Sequence, residues 1–293
     1  MANLSKAEWL QLEKKALELR KLCVQTTVWA GSGHFGGGMS VMDLLTVLYH
    51  KYLNIKVDEP KWDDRDRFIL SKGHAAIAYA PVLCDKGFND VEMLKRFNLS
   101  GSKMGMHLDS NKVVGVDAST GSLGHGPSIA AGTALAARLM NKDFLTYVVT
   151  GDGELDEGSC WEGFMTINHY NLSNCIVFID RNHNMIDGNT EDVMKLEPLA
   201  DKMTAFGFNT IVVDGNNIGE LCDAIDVAIE RAKTPQAPTC ILMDTKKGAG
   251  IKSIEGDYTW HYGAIDDAMF EKFNKELDED YAIRVARAEK EGK

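Results

Sequence analysis

The segment Phe144-Leu-Thr-Tyr-Val-Val-Thr150, with Gly151-Asp152-Gly153-Glu154 directly after it, decides the fold. A second apolar run, Cys175-Ile-Val-Phe-Ile-Asp180, follows residues 157–170, whose apolar positions have helical spacing. Two short apolar runs separated by a helix predict a β-α-β unit with parallel strands. We therefore expect a parallel sheet whose faces are covered by helices.

The same alternation of elements continues along the chain. Further strands are predicted at 67–71, 209–214 and 239–244, and further helices after residue 74 and at 129–140, 199–206 and 217–232. This order predicts an α/β fold, a doubly wound parallel sheet with helices on both faces. No repeat, low-complexity linker or proline-rich hinge divides the sequence, so we expect residues 1–293 to form one domain.

The remaining segments are predicted from local signals. Ser5 and Glu8 fit a capping box that begins the first helix, and the glycine-rich segment 31–38 interrupts it before a second helix. Residues 98–120 are rich in Gly, Ser and Asp and are expected to be irregular. A charged helix is expected at about 269–292, at the end of the chain.

Composition limits the class of partner. The chain has 32 Lys and Arg against 43 Asp and Glu, a formal charge of −11, which argues against nucleic acid or an anionic membrane as the main partner. Six cysteines form no CxxC and lie mostly in apolar runs, so we expect buried free thiols rather than disulfides or zinc ligands. The amino terminus resembles no signal peptide, and no segment is long enough to span a bilayer. These features predict a cytoplasmic protein.

Two oxygen donors follow neighbouring strands. Asp152 comes directly after the first of the two apolar runs, and Asn182 follows the second one, roughly thirty residues later. Gly-Asp-Gly alone would indicate a tight turn, but the ends of parallel strands meet at one edge of the sheet, where ligands bind. Carboxylate and amide oxygens suit Mg²⁺ or Ca²⁺, which commonly holds a diphosphate. The segment does not fit the GxGxxG fingerprint of nicotinamide-binding domains.

Four histidines lie in glycine-rich or loop segments rather than on predicted helix faces. They are His34, His74, His107 and His261. A single histidine in a loop is usually a surface group, but glycine neighbours allow the backbone to approach a ligand closely. Together with the acidic motif, they are candidate catalytic or binding residues.

The motifs occur in a specific order. Ser32-Gly33-His34 is followed by Asp64-Arg-Asp-Arg-Phe-Ile-Leu-Ser-Lys-Gly-His74, then by Thr120-Gly-Ser-Leu-Gly124, and then by Gly151-Asp152-Gly153. From about residue 10 to about residue 265 the chain resembles the amino-terminal domain of transketolase, a thiamine diphosphate enzyme. The resemblance implies the thiamine diphosphate-binding fold of its diphosphate-binding (PP) domain.

The resemblance also implies roles for individual residues. His34, His74 and His107 would line the channel for donor and acceptor sugars and assist proton transfers. Asp152, Asn182 and the backbone carbonyl of Asn184 would bind the cation, Mg²⁺ or Ca²⁺. Thiamine diphosphate would be contacted by His74, Gly121, Ser122, Leu123, Gly153, Glu154, Asn182 and His261. Glu157 matches a glutamate at the subunit interface.

Some positions depart from the family pattern. Phe35 replaces the usual Pro after the first histidine, Met106 and Leu108 replace the residues around His107, and Tyr262 shifts the motif at His261 by one residue. We expect these changes to flank the substrate channel. They leave open an unusual ketose such as a sulfonated or branched sugar, or an activity like deoxyxylulose-phosphate synthase. A non-catalytic cofactor-binding subunit is a separate alternative, which the histidines at 34, 74 and 107 argue against.

The resemblance covers only half of such an enzyme. In the family, the glutamate that activates the cofactor lies on a separate pyrimidine-binding domain, and no counterpart follows here. We therefore expect a split transketolase whose second polypeptide carries the pyrimidine-binding and C-terminal domains, in an α₂β₂ assembly. The expected activity is transfer of a two-carbon ketol unit from a ketose or ketose phosphate to an aldose, as in the pentose phosphate pathway.

Overall fold

A parallel sheet of five strands lies at the centre of residues 4–293, the part of the chain that this computed structural model describes. Its strands are β1 (Arg67–Leu70), β2 (Thr146–Gly151), β3 (Cys175–Arg181), β4 (Asn209–Asp214) and β5 (Thr239–Asp244). They lie side by side in the order β1-β2-β3-β5-β4, and every adjacent pair is parallel. This pairing confirms the predicted parallel sheet. The apolar runs of β2 and β3 are buried along their whole length, as is typical of parallel strands with both faces covered.

Helices cover both faces of this sheet. They are α1 (Lys6–Ala30), α2 (Phe35–Val47), α3 (Ala76–Asp85), α4 (Gly126–Leu139), α5 (Gly158–His169), α6 (Thr190–Val193), α7 (Leu199–Ala205), α8 (Ile218–Ala232) and α9 (Asp267–Glu291). Tyr147 and Val149 of β2 pack into one core with α1, α2, α3 and α8, whereas Val148 packs into a second core with α4, α5 and α7. Successive strand residues point to opposite faces, so the doubly wound arrangement is confirmed.

The first helix begins and ends as its sequence predicts. The Ser5 hydroxyl accepts a hydrogen bond from the Glu8 amide at 3.3 Å, and the Glu8 carboxylate accepts one from the Ser5 amide at 3.1 Å. This reciprocal pair is a capping box. The helix ends at Gly31, whose φ of +77° is the left-handed conformation that glycine adopts without strain.

The glycine-rich segment differs from its prediction. Within the segment 31–38 only residues 31–34 are non-helical, because α2 already begins at Phe35. Gly36 and Gly38 therefore lie in the first turn of α2. A side chain at Gly36 would lie 2.7 Å from the Lys247 side chain, and one at Gly38 would lie 3.0 Å from Ile77. These glycines therefore permit close packing of a fully buried helix, which outweighs their low helix propensity.

A buried ionic network connects α1, α2 and α9. Asp43 on α2 is fully buried and accepts two hydrogen bonds from Arg20 on α1, at 2.9 and 2.8 Å. Arg284 on α9 donates to the same carboxylate at 3.0 Å, and Asn216 donates to it at 3.0 Å. Burial opposes ionisation, but Arg20 and Arg284 together lower the pKa of Asp43.

Two predictions about the whole chain can be compared with this structure. All six cysteines are free and buried, as expected from their apolar surroundings, and burial raises the pKa of each thiol, that of Cys222 to about 11. Within residues 4–293, none of the helices combines the length and the apolar character needed to cross a bilayer. Residues 98–120 contain neither an α-helix nor a strand, as predicted.

Candidate active site

A cavity of about 290 Å³ opens at the edge of the sheet where the strands end. It is lined by His34, Gly37, Lys72, His74, His107, Gly121, Leu123, Gly151, Asp152, Gly153, Glu154, Asn182, Asn184, Met185, Ile186, Lys247 and His261. All the site residues predicted from the sequence lie in this lining except Ser122 and Glu157. Larger grooves lie elsewhere in residues 4–293, among them three of about 460, 510 and 710 Å³. These three contain no histidine, so the chemistry points to the smaller cavity.

Four loops bring the predicted histidines together. His34 precedes α2, His74 follows β1, His107 comes from the irregular segment 98–120, and His261 lies in the short 3₁₀ turn Tyr258–His261. The His34 ring centroid lies 5.1 Å from that of His74, 5.2 Å from that of His261 and 6.3 Å from that of His107. The sequence separates these residues widely, and the fold places them in one cluster.

The imidazoles of this cluster are neutral near pH 7. Burial, with the nearby His107 and Lys247, lowers the pKa of His34 to about 4, and burial and Lys247 lower that of His261 to about 3. Burial and Lys72 lower the pKa of His74 well below its usual value, and burial lowers that of His107. A neutral imidazole has one donor and one acceptor nitrogen, so each ring can accept a proton from a ligand.

His34 has a ring nitrogen that is available for a ligand. The Nδ1 atom of His34 is buried and has no hydrogen-bond partner within the described part of the chain. Tyr262 packs edge-on against the same ring at a centroid distance of 4.9 Å, and its hydroxyl lies 2.7 Å from Ser32 Oγ. Tyr262 therefore contacts the His34 ring, but neither Tyr262 nor Met106 belongs to the cavity lining, contrary to the expectation from the sequence.

Phe35 and Leu108 do not flank the channel, contrary to the expectation from the sequence. Both are buried and absent from the cavity lining. The Phe35 ring packs against Trp260 and Phe273, at centroid distances of 6.2 and 6.1 Å. The apolar side chain fills a gap under the last helix, so its departure from the family pattern serves packing.

Asp152 lies at the end of β2 and is held by three donors. Its carboxylate accepts hydrogen bonds from the Gly153 amide at 2.8 Å, the His183 amide at 2.7 Å and Arg181 Nη1 at 3.0 Å. Burial, together with the nearby Asp180, raises the pKa of Asp152. A buried carboxylate of this kind is stabilised further by a cation.

Asn182 and Asn184 interlock beside that carboxylate. The Asn184 amide donates to Asn182 Oδ1 at 3.2 Å, and Asn184 Nδ2 donates to the Asn182 carbonyl at 3.0 Å. Asn184 Oδ1 is buried without a partner in residues 4–293. Within those residues no three His, Cys, Asp or Glu side chains converge to hold a metal. One carboxylate with several neutral oxygens, one of them unpaired, fits a hard cation that also binds an anionic ligand.

Glu154 holds the segment 121–124 against the strand end. Its carboxylate accepts hydrogen bonds from the Gly124 amide at 2.9 Å, the Gly151 amide at 3.0 Å and the Ser71 hydroxyl. Gly121 has a φ of +143°, and a side chain there would lie 3.0 Å from the His107 ring. The backbone can therefore approach a ligand closely at Gly121.

Sequence reasoning missed several lining residues, among them two lysines. Lys72 Nζ donates to the Gly37 carbonyl at 2.8 Å and pairs with Asp180. Lys247 Nζ donates to the Met185 carbonyl at 3.0 Å and lies 3.2 Å from His261 Nδ1. Burial and Lys72 lower the pKa of Lys247 to about 8. The position of Lys72 directly after the predicted strand 67–71 could have indicated it, whereas Lys247 lies in the loop beyond strand 239–244.

Ser122 and Glu157 are exposed beside the cavity. A side chain at Gly124 would lie 2.7 Å from Glu157 Cβ, so Glu157 packs against the segment that Glu154 holds. The predicted role of Glu157 at a subunit interface and that of Ser122 at a cofactor stay predictions.

The chain is similar to a known family along most of its length. The family described as "Transketolase, thiamine diphosphate binding domain" matches residues 12–286. The 6-deoxy-6-sulfo-D-fructose transketolase subunit SqwG of Clostridium sp. (strain MSTE9) is 37% identical over 274 residues, which cover 93% of this chain and 98% of the relative. An apulose-4-phosphate transketolase subunit of Phocaeicola vulgatus is 37% identical over 280 residues, which cover 96% and 97%.

Longer transketolases match over only part of their length. Human transketolase is 32% identical over 268 residues, which cover 91% of this chain and 42% of the human protein. The solved structure of transketolase from Leishmania mexicana has a TM-score of 0.84 at 28% identity, and the match covers 96% of this chain and 45% of that one. The chain therefore spans nearly all of the separate-subunit relatives and less than half of these longer enzymes.

Proposed function

The chain belongs to the transketolase family as a thiamine diphosphate-dependent subunit, and we propose that it acts only together with a second polypeptide. One observation carries the proposal: four neutral histidines and the Asp152–Asn182 oxygen donors line the same cavity. The first provides acid-base groups for a sugar, and the second provides a site for a metal-bound diphosphate.

The proposed cofactor site uses residues that line or border the cavity. Asp152, Asn182 and the carbonyl of Asn184 would hold Mg²⁺ or Ca²⁺. Thiamine diphosphate would lie against His74, Gly121, Ser122, Leu123, Gly153, Glu154, Asn182 and His261. When bound, this cofactor supplies a nucleophilic carbon and an electron sink for cleavage of a carbon–carbon bond.

In this proposal the histidines assist proton transfer to and from the sugar. His34 has an unpaired buried nitrogen, and its neutral imidazole accepts the hydroxyl proton whose removal lets the C2–C3 bond of the ketose cleave. His107 lies at the rim and assists this transfer, while His74 hydrogen-bonds the sugar. Positioned acid-base groups of this kind contribute about 10²- to 10⁴-fold in rate. Burial lowers the pKa of both His34 and His261, and Lys247 lowers it further because a nearby positive charge disfavours the imidazolium.

We propose that the donor is an unusual ketose or ketose phosphate. Two relatives are named for a sulfonated ketose and for apulose 4-phosphate, and Tyr262, which departs from the family pattern, packs against the His34 ring. The two lysines of the lining are already engaged by protein groups, so a cation for the terminal anion of the sugar would come from the partner.

The assembly and location follow from the same reasoning. The chain would form one diphosphate-binding domain, and its partner would supply the pyrimidine-binding and C-terminal domains, in an α₂β₂ heterotetramer with Glu157 at the interface. An acidic chain of this type fits a cytoplasmic enzyme of carbohydrate metabolism.

The experiment is native mass spectrometry of the complex purified from source cells with thiamine diphosphate and Mg²⁺, followed by assays with a panel of ketose donors. We expect a hetero-oligomer that binds the cofactor and transfers a two-carbon unit to an aldose. Asp152→Ala should abolish metal-dependent cofactor binding. A homodimer that does not bind the cofactor, or full turnover in Asp152→Ala, would contradict the proposal.

A further inference from the structure

Only one end of the side-chain amide group of Asn184 has a hydrogen-bond partner in the described residues. Nδ2 donates to the Asn182 carbonyl at 3.0 Å, whereas Oδ1 is buried without a partner in the described residues. The Nδ2 bond determines the orientation of the amide, because the flipped group would place its oxygen against the carbonyl oxygen. Asn184 is only 6% exposed, and a buried acceptor without a donor is unfavourable. This oxygen is therefore suited to a ligand.

The surroundings of this oxygen restrict what that ligand can be. Asn184 lines the same cavity as Asp152 and Asn182, and its backbone amide already holds the Asn182 side-chain oxygen at 3.2 Å. The cavity's lysines donate elsewhere, Lys72 to Gly37 and Asp180 and Lys247 to Met185. Neither lysine of the described lining donates to Asn184 Oδ1, which has no partner in those residues.

The ligand must be a cation or a hydrogen-bond donor. A diphosphate presents negative oxygens without donors at neutral pH, so a bare diphosphate would repel an amide oxygen. A divalent cation bound to Asp152 would attract it. Amide oxygens are ordinary ligands of hard cations in proteins.

We propose that Asn184 Oδ1 is an additional donor to the cation held by Asp152 and Asn182, and that it shifts the preference of the site toward Ca²⁺. The inference rests on the proposed function, in which only the backbone carbonyl of Asn184 was assigned to the metal. Mg²⁺ requires six ligands in a small octahedron at about 2.0–2.1 Å, whereas Ca²⁺ takes six to eight oxygens at about 2.3–2.6 Å. An extra oxygen from the protein therefore benefits the larger ion more.

Two matched variants test the inference. Asn184→Ala removes the unpaired oxygen and keeps the backbone carbonyl. Asn189→Ala removes the same amide group from an exposed residue that is paired with Asn184 across an isolated bridge. Titration calorimetry of Ca²⁺ and of Mg²⁺ would be carried out on the complex with its co-purified partner, saturated with thiamine diphosphate. We expect Asn184→Ala to weaken Ca²⁺ binding by about tenfold or more and Mg²⁺ binding by less than about threefold. Asn189→Ala should change neither.

A second measurement separates ligation from support of the loop. With Mn²⁺ as the probe and ¹⁷O-labelled water, pulsed electron paramagnetic resonance counts the water molecules on the ion. Asn184→Ala should gain one water relative to the wild type. Unchanged Ca²⁺ affinity, or equal weakening of both ions without an added water, would overturn the inference. If the wild type itself binds no metal with the cofactor present, the proposed function fails; if the wild type binds and Asn184→Ala matches it, only this inference fails.

Discussion

Two buried polar regions lie at different points along α2, and they differ in how completely their polar atoms are hydrogen-bonded. At Asp43 the two carboxylate oxygens accept hydrogen bonds from two arginines and Asn216. At the start of the same helix, His34 Nδ1 is buried without a partner in the described residues, as is Asn184 Oδ1 across the cavity. Complete pairing indicates a structural role, and a buried unpaired atom beside a cavity indicates a ligand.

Disruption of the fully hydrogen-bonded network around Asp43 should have the largest effect on stability. Asp43→Ala leaves the guanidinium groups of Arg20 and Arg284 buried without their shared carboxylate. We expect the free energy of unfolding to fall by about 3–5 kcal/mol, because an uncompensated buried charge is strongly unfavourable. Urea denaturation measures the change. Asp43→Asn keeps the size and one acceptor but removes the negative charge, so it should lose nearly as much. A stability of Asp43→Asn close to that of the wild type would contradict the electrostatic explanation.

Substitution of His34, whose Nδ1 atom has no partner in the described residues, should change turnover more than stability. His34→Ala removes an atom that bonds no protein group, so we expect the free energy of unfolding to change by less than about 1 kcal/mol. Turnover of the complex with its partner should fall by about 10²- to 10⁴-fold, with cofactor binding retained. Steady-state kinetics and calorimetric binding of thiamine diphosphate check this. Wild-type turnover would remove His34 from the mechanism.

Glu154 lies between the two extremes, because it lines the cavity yet is satisfied by protein donors. Glu154→Gln places an NH₂ group against one of the Gly124 or Gly151 amides. We expect a loss of about 1–3 kcal/mol in the free energy of unfolding, together with weaker cofactor binding as the 121–124 segment loosens. Denaturation of the protein with and without cofactor measures both effects. A stability loss with unchanged cofactor affinity would show that the segment does not contact the cofactor.

The smallest expected effect is a difference in pH dependence. The unfolded state binds protons on its histidines below about pH 6.5, whereas His34 in the folded protein stays neutral to about pH 4. Its contribution therefore lowers stability as the pH falls from about 6.5 to about 4, and has no effect above that window. Melting temperatures from pH 7.5 to 4.5 should decline less in His34→Gln than in the wild type. Parallel curves would show that His34 titrates normally.

Strand positions and the Asp152–Asn182 spacing were predictable because they depend on local pattern. Strands β2 and β3 are continuous apolar runs, and parallel pairing alone brings their ends together. Lys247 was not identified, since its contact with His261 depends on how the loop after β5 folds back. The helical start at Phe35 was also missed, because packing against Ile77 and Lys247 overrides glycine's propensity.

The unpaired oxygen of Asn184 could not be predicted at all. A sequence shows which polar groups exist, but pairing depends on distances of tenths of an ångström between residues that the fold brings together. His34 illustrates the same limit, since its motif indicated a ligand but not which ring nitrogen would lack a partner. The location of the candidate site could therefore be predicted from the sequence, but the buried atoms that lack a hydrogen-bond partner could not.

The six buried thiols give this protein an internal set of chemical reporters. Only the thiolate reacts readily with alkylating reagents, and burial both hides each sulfur and raises its pKa, so the folded chain should resist modification near neutral pH. The thiols are spread over both faces, for example at Cys23 on α1, Cys160 on α5 and Cys240 on β5. Pulsed alkylation followed by peptide mass analysis would thus record, without any engineered label, which layer of the fold opens first.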